Sequence, residues 1–391
     1  MLRLAQDNLP IGGRRIFRIT ALWVFLCAWV APPLFAQQNA RQSPAAAEQE
    51  SQGAANGEAE LQAGTSLTSE GHFAEAVPHL RAARGHVTEE YAASFNLALC
   101  YVALHKPKLA IPILDELQRH GQGTPGVWNL LAQAYAGEHE DAKAFEALKH
   151  AAASTPRDEK LYAYVADACL DAHENELGLK VVDEGLESIP HSARLHYQRA
   201  VFLTALDEFE RARNDFDLAA QLAPGSDISY ISSAHKALIE GDLAEVVRLS
   251  REGIAEHRDG YILLSMLGQA LLRSGTEPGQ PEFSEARNAL EKSIAENPGY
   301  AQSRISLAQV YLLENRLQDA IAQLDAARAL DPKNPAVYSH LAAALRRTGD
   351  KKRLQEVVAV LAALNQRQVT QIRDAGKSGE HRGNIASVRN Q

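Results

Sequence analysis

The chain has 391 residues, 46% of them hydrophobic and 23% charged, with a formal net charge of −9. These proportions describe a globular protein with ample core and exclude both a multi-span membrane protein and a wholly disordered chain. Three cysteines and 6% aromatic residues exclude a disulfide scaffold and disfavour a β-rich sandwich. The acidic balance argues against a nucleic-acid partner.

Residues 1–36 read as an export signal. Arg14, Arg15 and Arg18 precede an uncharged run from Ile19 to Ala31, followed by Pro32, Pro33, Leu34, Phe35 and Ala36. Cleavage after Ala36 is the expectation, which places the mature protein in the periplasm or outside the cell. An uncleaved N-terminal anchor is the alternative, although the run falls short of the roughly 20 apolar residues a spanning helix needs. Cys27 lacks the small preceding residue of a lipidation site, since Leu26 stands there. The segment carries four arginines and one aspartate, so its removal takes the net charge from −9 to about −12. Residues 37–56 are Gln, Ala, Ser, Asn and Glu with almost no large apolar side chain, which predicts a disordered linker.

From Gly57 onward a 34-residue period governs the chain. Gly64, Ala98, Ala132, Ala166, Ala200, Ala234 and Gly268 are spaced at 34, and Ala308 and Ala342 continue the series after an insertion at 276–281. Repeat starts fall at Gly57, Tyr91, Pro125, Glu159, Ala193, Asp227, Tyr261, Ala301 and Pro335. Physically, a Gly or Ala at position 8 and a mostly small residue at position 20 let two helices approach closely. Gly178, Val246 and Leu354 depart from that rule at position 20, which predicts different packing there. Pro78 and Pro112 stand at position 22 and are expected to delay or kink the second helix of their repeats.

In the third repeat the pattern runs Trp128, Leu131, Ala132, Tyr135, Ala144, Leu148, Ala151 and Pro156. In the eighth it runs Leu307, Ala308, Tyr311, Ala320, Leu324, Ala327 and Pro332. This resembles the tetratricopeptide repeat over roughly residues 57–364. The resemblance implies an all-α fold, an α-solenoid of about nine helix-turn-helix repeats wound as a right-handed superhelix. A polar capping helix and disordered tail are expected over 365–391.

His105, His139 and His173 recur at the same interval and invite a metal hypothesis. Adjacent repeats are too far apart for a shared ion, however. Across nine repeats that position holds Gly71, His105, His139, His173, Asp207, Gly241, Gly275, Asn315 and Gly349, all residues that tolerate a left-handed backbone, so helix termination explains the row. No zinc-protease helix, phosphate loop or nucleophile elbow is present. Cys100 and Cys169 are two repeats apart and read as small core residues. No metal, no cofactor and no catalytic residue is expected, and the protein reads as a non-enzyme. An enzyme hidden in the solenoid is the remote alternative.

The resemblance further implies a concave groove lined by positions 2, 5, 6, 9 and 12 of each first helix, holding a peptide or protein segment. Carried over, those positions give Asn129 and Gln133, then Lys160, Tyr164 and Asp167, then Arg194, Tyr197 and Gln198, then His235 and Gln269. Such amides, rings and charges can hydrogen-bond a peptide and stack on it. The Lys and Asn clamp of tail-binding relatives is absent, because Leu61 and Thr65 occupy its places, and Asn96 alone does not make an asparagine ladder. The span from Arg346 to Gln391 carries ten Lys or Arg against four Asp or Glu. Arg346, Arg347, Lys351, Lys352 and Arg353 therefore form a second candidate surface, for an acidic partner or an anionic membrane. The reading is a non-catalytic interaction scaffold in the cell envelope, with a component of polysaccharide-export or outer-membrane assembly machinery as the alternative. The partner's identity and the oligomeric state are left open.

Overall fold

The computed structural model describes residues 44–256 and 260–366, with side chains from residue 55 onward. Among the described residues every regular element is a helix. The expected signal at 1–36, residues 37–43 and the tail at 367–391 lie outside them. No helix among the described residues is long and apolar enough to cross a membrane.

The chain divides between Thr155 and Pro156 into two compact units. In the first, α1 (Pro44–Ser69) packs on α2 (Phe73–Ala83), α3 (Glu90–Ala103) on α4 (Pro107–Arg119), and α5 (Pro125–Gly137) on α6 (Asp141–Ala152). The second unit opens with α7 (Glu159–Ala172) on α8 (Asn175–Ser188), α9 (Ala193–Ala205) on α10 (Phe209–Leu222), and α11 (Asp227–Glu240) on α12 (Leu243–Ala255). It continues with α13 (Tyr261–Arg273) on α14 (Pro281–Glu296), α15 (Ala301–Leu313) on α16 (Leu317–Leu330), then α17 (Pro335–Thr348) and a last helix, α18, over 351–366. Within each unit successive pairs pack on one another, so each unit is a stretch of solenoid whose core lies between helix layers.

Local chemistry sets the helix ends. Several first helices begin where a polar side chain caps them: Thr124 Oγ1 accepts from the Val127 amide at 3.3 Å, Ser192 Oγ from Leu195 at 2.9 Å, and Asn334 Oδ1 from Ala336 at 3.0 Å. They end at the nine-membered row identified above. Gly71, His105, His139, His173, Asp207, Gly241, Gly275, Asn315 and Gly349 all have positive φ, between 53° and 84°. The prolines at the repeat ends have a use too. Tyr162 Oη donates to the Pro156 carbonyl at 3.0 Å and Tyr338 Oη to that of Pro332 at 2.8 Å, while His196 Nε2 lies 3.0 Å from the Pro190 oxygen. The fourth residue of a repeat thus ties down the turn that precedes it.

Close approach explains the small residues. A Cβ at Gly64 would sit 2.6 Å from Leu80 and one at Gly268 2.5 Å from Leu290, and Ala98, Ala132, Ala166, Ala200, Ala234 and Ala308 at the same position are fully buried. At Gly178, an exception at position 20, the missing side chain makes room for the buried Phe202 ring: a Cβ there would come within 2.1 Å of it. Val246, the second exception, is itself fully buried.

Two expectations are corrected. Residues 44–56 are helical instead of a flexible linker, because their Ala, Gln and Glu are strong helix formers that extend α1 outward. Pro78 and Pro112 do not delay their helices: α2 starts at Phe73 and α4 at Pro107, and each proline lies inside the helix. Both face solvent, where the ring has room and the cost is one missing backbone bond. The 276–281 insertion closes on itself, with the Glu277 amide donating to Gln280 Oε1 at 2.9 Å, and Pro281 becomes the first residue of a 16-residue α14.

Candidate functional site

In the second unit the groove begins on α7. Lys160, Tyr164, Asp167 and Asp171 follow one another at spacings of four, three and four, which places them on one helix face. From α9, Arg194 Nη2 donates to Asp167 Oδ2 at 3.0 Å while its guanidinium lies 5.7 Å from the Tyr164 ring centre. Gln198 Nε2 donates to Asp167 Oδ1 at 2.7 Å and to the Ala163 carbonyl at 3.1 Å. Four of the predicted groove residues, Tyr164, Asp167, Arg194 and Gln198, therefore form one connected cluster across two repeats. Desolvation raises the Asp167 carboxyl above its ordinary range, and the Arg194 charge and the Gln198 bond oppose that rise.

The next wall is aromatic. Tyr197 on α9 lies 6.0 Å from Phe216 on α10 and 5.8 Å from the His235 ring on α11, and His235 stacks on Phe216 at 5.4 Å. His235 Nδ1 donates to the Ile231 carbonyl at 3.0 Å, and burial lowers its pKa, so the ring is neutral at neutral pH. Burial likewise raises the phenols of Tyr197, Tyr261 and Tyr300. Tyr261, at the start of α13, meets Tyr300, just before α15, edge to face at 5.0 Å. Gln269 sits half-buried on α13.

Three residues that the position rule passes over complete the site. Asp171 is wetted, one turn beyond Asp167, and its carboxyl is raised to about 7 by desolvation and then by the Asp167 charge. His173, read from sequence only as a helix terminator, also reaches across the unit: its Nε2 lies 3.0 Å from Oδ1 of Asp331, which caps α16 four repeats later. That bond raises the His173 pKa, and Asp331, although burial pushes it up, is held down by His173. Asn334 Nδ2 also donates to Asp331, at 3.0 Å. The i, i+4 relation of Asp171 to Asp167 was available in the sequence; a contact between residues 158 positions apart was not.

The remaining candidates stand as follows. Asn129 and Gln133 are on α5 in the first unit, joined by a Gln133 Nε2 to Asn129 Oδ1 bond of 2.7 Å. Asn129 is 4% exposed and Gln198 2%, so both belong to the wall of their helix layer and present little surface to a ligand. Lys160 is half-buried. At the basic end, Arg347 donates to the Leu312 carbonyl and to Asn315 Oδ1, both at 2.8 Å, and Arg353 holds Asp325 at 2.9 Å. Those two are occupied in closing repeat ends, which leaves Arg346, Lys351 and Lys352 facing solvent. Cys100 and Cys169 are buried and form no disulfide. Among the described residues no group of His, Cys, Asp and Glu could hold a metal ion.

A further cluster behind the groove holds its wall in place. Asp215, buried on α10, accepts from Arg199 at 2.7 Å on each oxygen and lies 2.8 Å from His196 Nδ1, while Arg199 also reaches Asp183 at 3.1 Å. Burial alone would raise the Asp215 carboxyl, but the bonds from His196 and Arg199 hold it below its ordinary range.

The family model described as tetratricopeptide repeat matches residues 67–134 and 280–345. Among solved structures, human IFIT1, as a dimer with PPP-AAAA, is 17% identical over 68% of this chain and 67% of its own, with a TM-score of 0.47. A tetratricopeptide repeat protein from Parabacteroides merdae is 16% identical over 65% and 98%, with a TM-score of 0.48. Yeast Tom70 is 14% identical over 83% and 96%, with a TM-score of 0.38. No curated protein matches the sequence. These likenesses transfer no ligand.

Proposed function

We propose that this chain, which matches the tetratricopeptide-repeat model over residues 67–134 and 280–345, acts as a non-catalytic interaction scaffold in the cell envelope and takes an extended segment of a partner protein in the groove of its second unit. The observation that carries this reading is the continuous groove surface from α7 to α11. There Arg194 ties Asp167 by a hydrogen bond and lies over the Tyr164 ring, and Tyr197 meets the His235 ring edge to face, so each part of the surface is ordered before a partner arrives. Rings set among hydrogen-bonding groups suit a peptide, whose backbone offers donors and acceptors and whose side chains need faces to pack on. No nucleophile stands beside a base in this cluster to support a chemical step.

The test is affinity capture from an envelope extract with tagged residues 37–391, beside a variant carrying Tyr164→Ala, Tyr197→Ala and His235→Ala with unchanged helical circular dichroism. A partner held by the parent and lost by the variant supports the reading. Equal capture by both moves binding to another surface, with Arg346, Lys351 and Lys352 next in line. Export is part of the same proposal. The mass of the protein recovered from the periplasmic fraction is expected to correspond to a chain beginning at Gln37, and a full-length chain retained in the membrane would favour the anchor.

A further inference from the structure

The last second helix, α18, carries a face that is covered in every earlier repeat. Positions 20, 24 and 27 of a repeat stand at spacings of four and three, on one face of its second helix. That face receives the first helix of the following repeat. Gly178 at position 20 faces the Phe202 ring, Gly185 and Gly253 at position 27 face Leu195 and Leu263, and Ser293 Oγ, also at position 27, lies 2.7 Å from Ser303 Oγ. All three positions are buried in the eight repeats before the last. In the ninth they are Leu354, Val358 and Leu361: Val358 is 43% exposed, and the two leucines are half-buried against the cluster that holds α17. The first helix of the array is finished otherwise. On α1 the residues that would face a preceding repeat, at positions 3 and 10, are Ala59 and Ser66, small and wetted.

The chain does not turn back onto the open face of α18. Second helices of earlier repeats end by the equivalent of Leu330, and Pro190, Pro224, Pro298 and Pro332 then turn the chain. α18 stays helical through Gln366, which stands in the place of that proline. The rim of the face is basic. Lys351 lies two turns before Val358 on the same side of the helix, and Lys352 and Arg346 beside it also face solvent. Of the nearby acids, Asp350 accepts from the Arg353 amide at 3.1 Å, and Glu356, two residues before Val358, lies on the other side of α18. A second copy set α18 against α18 would bring like charges together. A helix joined to its predecessor by a short turn runs antiparallel to it, so a helix placed here ends beside Lys351, where last-turn carbonyls and carboxylates meet positive charge. Leu354 and Leu361 are larger than Ala320 and Ala327, their counterparts one repeat earlier, so small side chains on the incoming helix fit best.

We propose that the open face of α18 docks an amphipathic helix of a partner protein, alanine-rich along its apolar stripe and acidic toward its C-terminal end, which adds to the array as the next first helix. This surface is separate from the groove and does not depend on it.

The experiment follows fluorescence anisotropy of a labelled helical peptide of about 20 residues against the full chain. Its apolar stripe is alanine and leucine, and glutamates flank the stripe in the last two turns; the control peptide carries lysines in their place. The glutamate peptide is expected to bind at least about tenfold more tightly than the lysine peptide. Val358→Asn should weaken the glutamate peptide about tenfold, since an apolar contact is lost, and Lys351→Glu with Lys352→Glu should reverse the preference between the two. Tyr164→Ala with Tyr197→Ala should change neither affinity, which separates this surface from the groove. The substituted residues of α18 face solvent, so folding is retained; circular dichroism checks this. Equal affinity for the two peptides, binding indifferent to Val358→Asn, or no binding of either would overturn the proposal. So would three results that assign the face to another occupant. A full-length dimer that Val358→Asn dissociates points to a second copy, and binding to anionic vesicles that Val358→Asn abolishes points to a membrane. Tighter peptide binding on Ile372→Glu points to the chain's own residues 367–391.

Discussion

The two units are built on one 34-residue frame and differ in what they place on it. In the first unit the second helices carry Pro78 and Pro112 in their interiors, and the predicted groove positions of α5 hold an amide pair, Asn129 with Gln133. In the second, the matching positions carry charges and rings linked across repeats, glycine admits the Phe202 ring, and a buried carboxylate gathers His196 and Arg199. Positions 8 and 15 are nearly invariant in kind because backbone geometry dictates them. The groove face of the first helices lies outside those two backbone constraints, and there the two units part in chemistry.

Five substitutions sharpen that contrast. Asp215→Ala should cost the second unit about 3–5 kcal/mol, since it leaves His196 and Arg199 without their shared buried acceptor. Urea unfolding followed by circular dichroism measures it, and a loss under about 1 kcal/mol would show the network to be incidental. Because the Asp215 pKa is lowered on folding, this contribution is present above about pH 4, the unfolded value, and disappears as pH falls through the folded one. Gly178→Ala should cost about 1–3 kcal/mol by forcing the Phe202 ring aside. Pairing it with Phe202→Leu should recover part of the loss, and strict additivity of the two would contradict the packing argument.

In the first unit the expected sign reverses. Pro112→Ala should stabilise by about 1 kcal/mol, one recovered helix bond at a solvent-facing position. A destabilised variant would mean that the proline shapes the helix for its neighbours. The smallest effect concerns the contact that spans four repeats of the second unit. His173 is raised by Asp331, so the contact is fully present below the unfolded histidine value of about 6.5 and is lost as pH rises through the folded one. Asp331, Asp171 and Lys333 are the charged groups that act on His173. The difference in urea midpoint between parent and His173→Gln should therefore be present at pH 6 and gone by pH 9, amounting to less than about 1 kcal/mol because the histidine is half exposed. A pH-independent difference would assign it to packing.

The fold was legible because its determinants are local and repeated. Small residues at position 8 and left-handed residues at position 15 recur whatever the partner, so one row of His, Gly, Asp and Asn could be traced to helix termination from the sequence alone. The groove was legible only in part. Position rules located Tyr164, Asp167, Arg194, Tyr197 and His235, yet they also named Gln198 and Asn129, which the layer buries, since a period of 34 reports the face of a helix and not its depth. Asp171 was missed although it lies one turn from Asp167. The His173 to Asp331 contact could not have been read at all, because it depends on how far five successive repeats turn. The prolines misled for a similar reason: sequence shows the missing donor, and only the structure shows that the ring faces solvent.

The most direct measurement places a photo-reactive amino acid at Gln269 on the groove face and, separately, at Glu210 on the outer face of α10, and irradiates cells producing each protein. If the groove of the second unit is the binding surface, a discrete crosslinked partner forms from position 269 and not from 210, and it vanishes when Tyr164→Ala and Tyr197→Ala are added. The same product from position 210, or a product from 269 indifferent to those substitutions, would contradict the account.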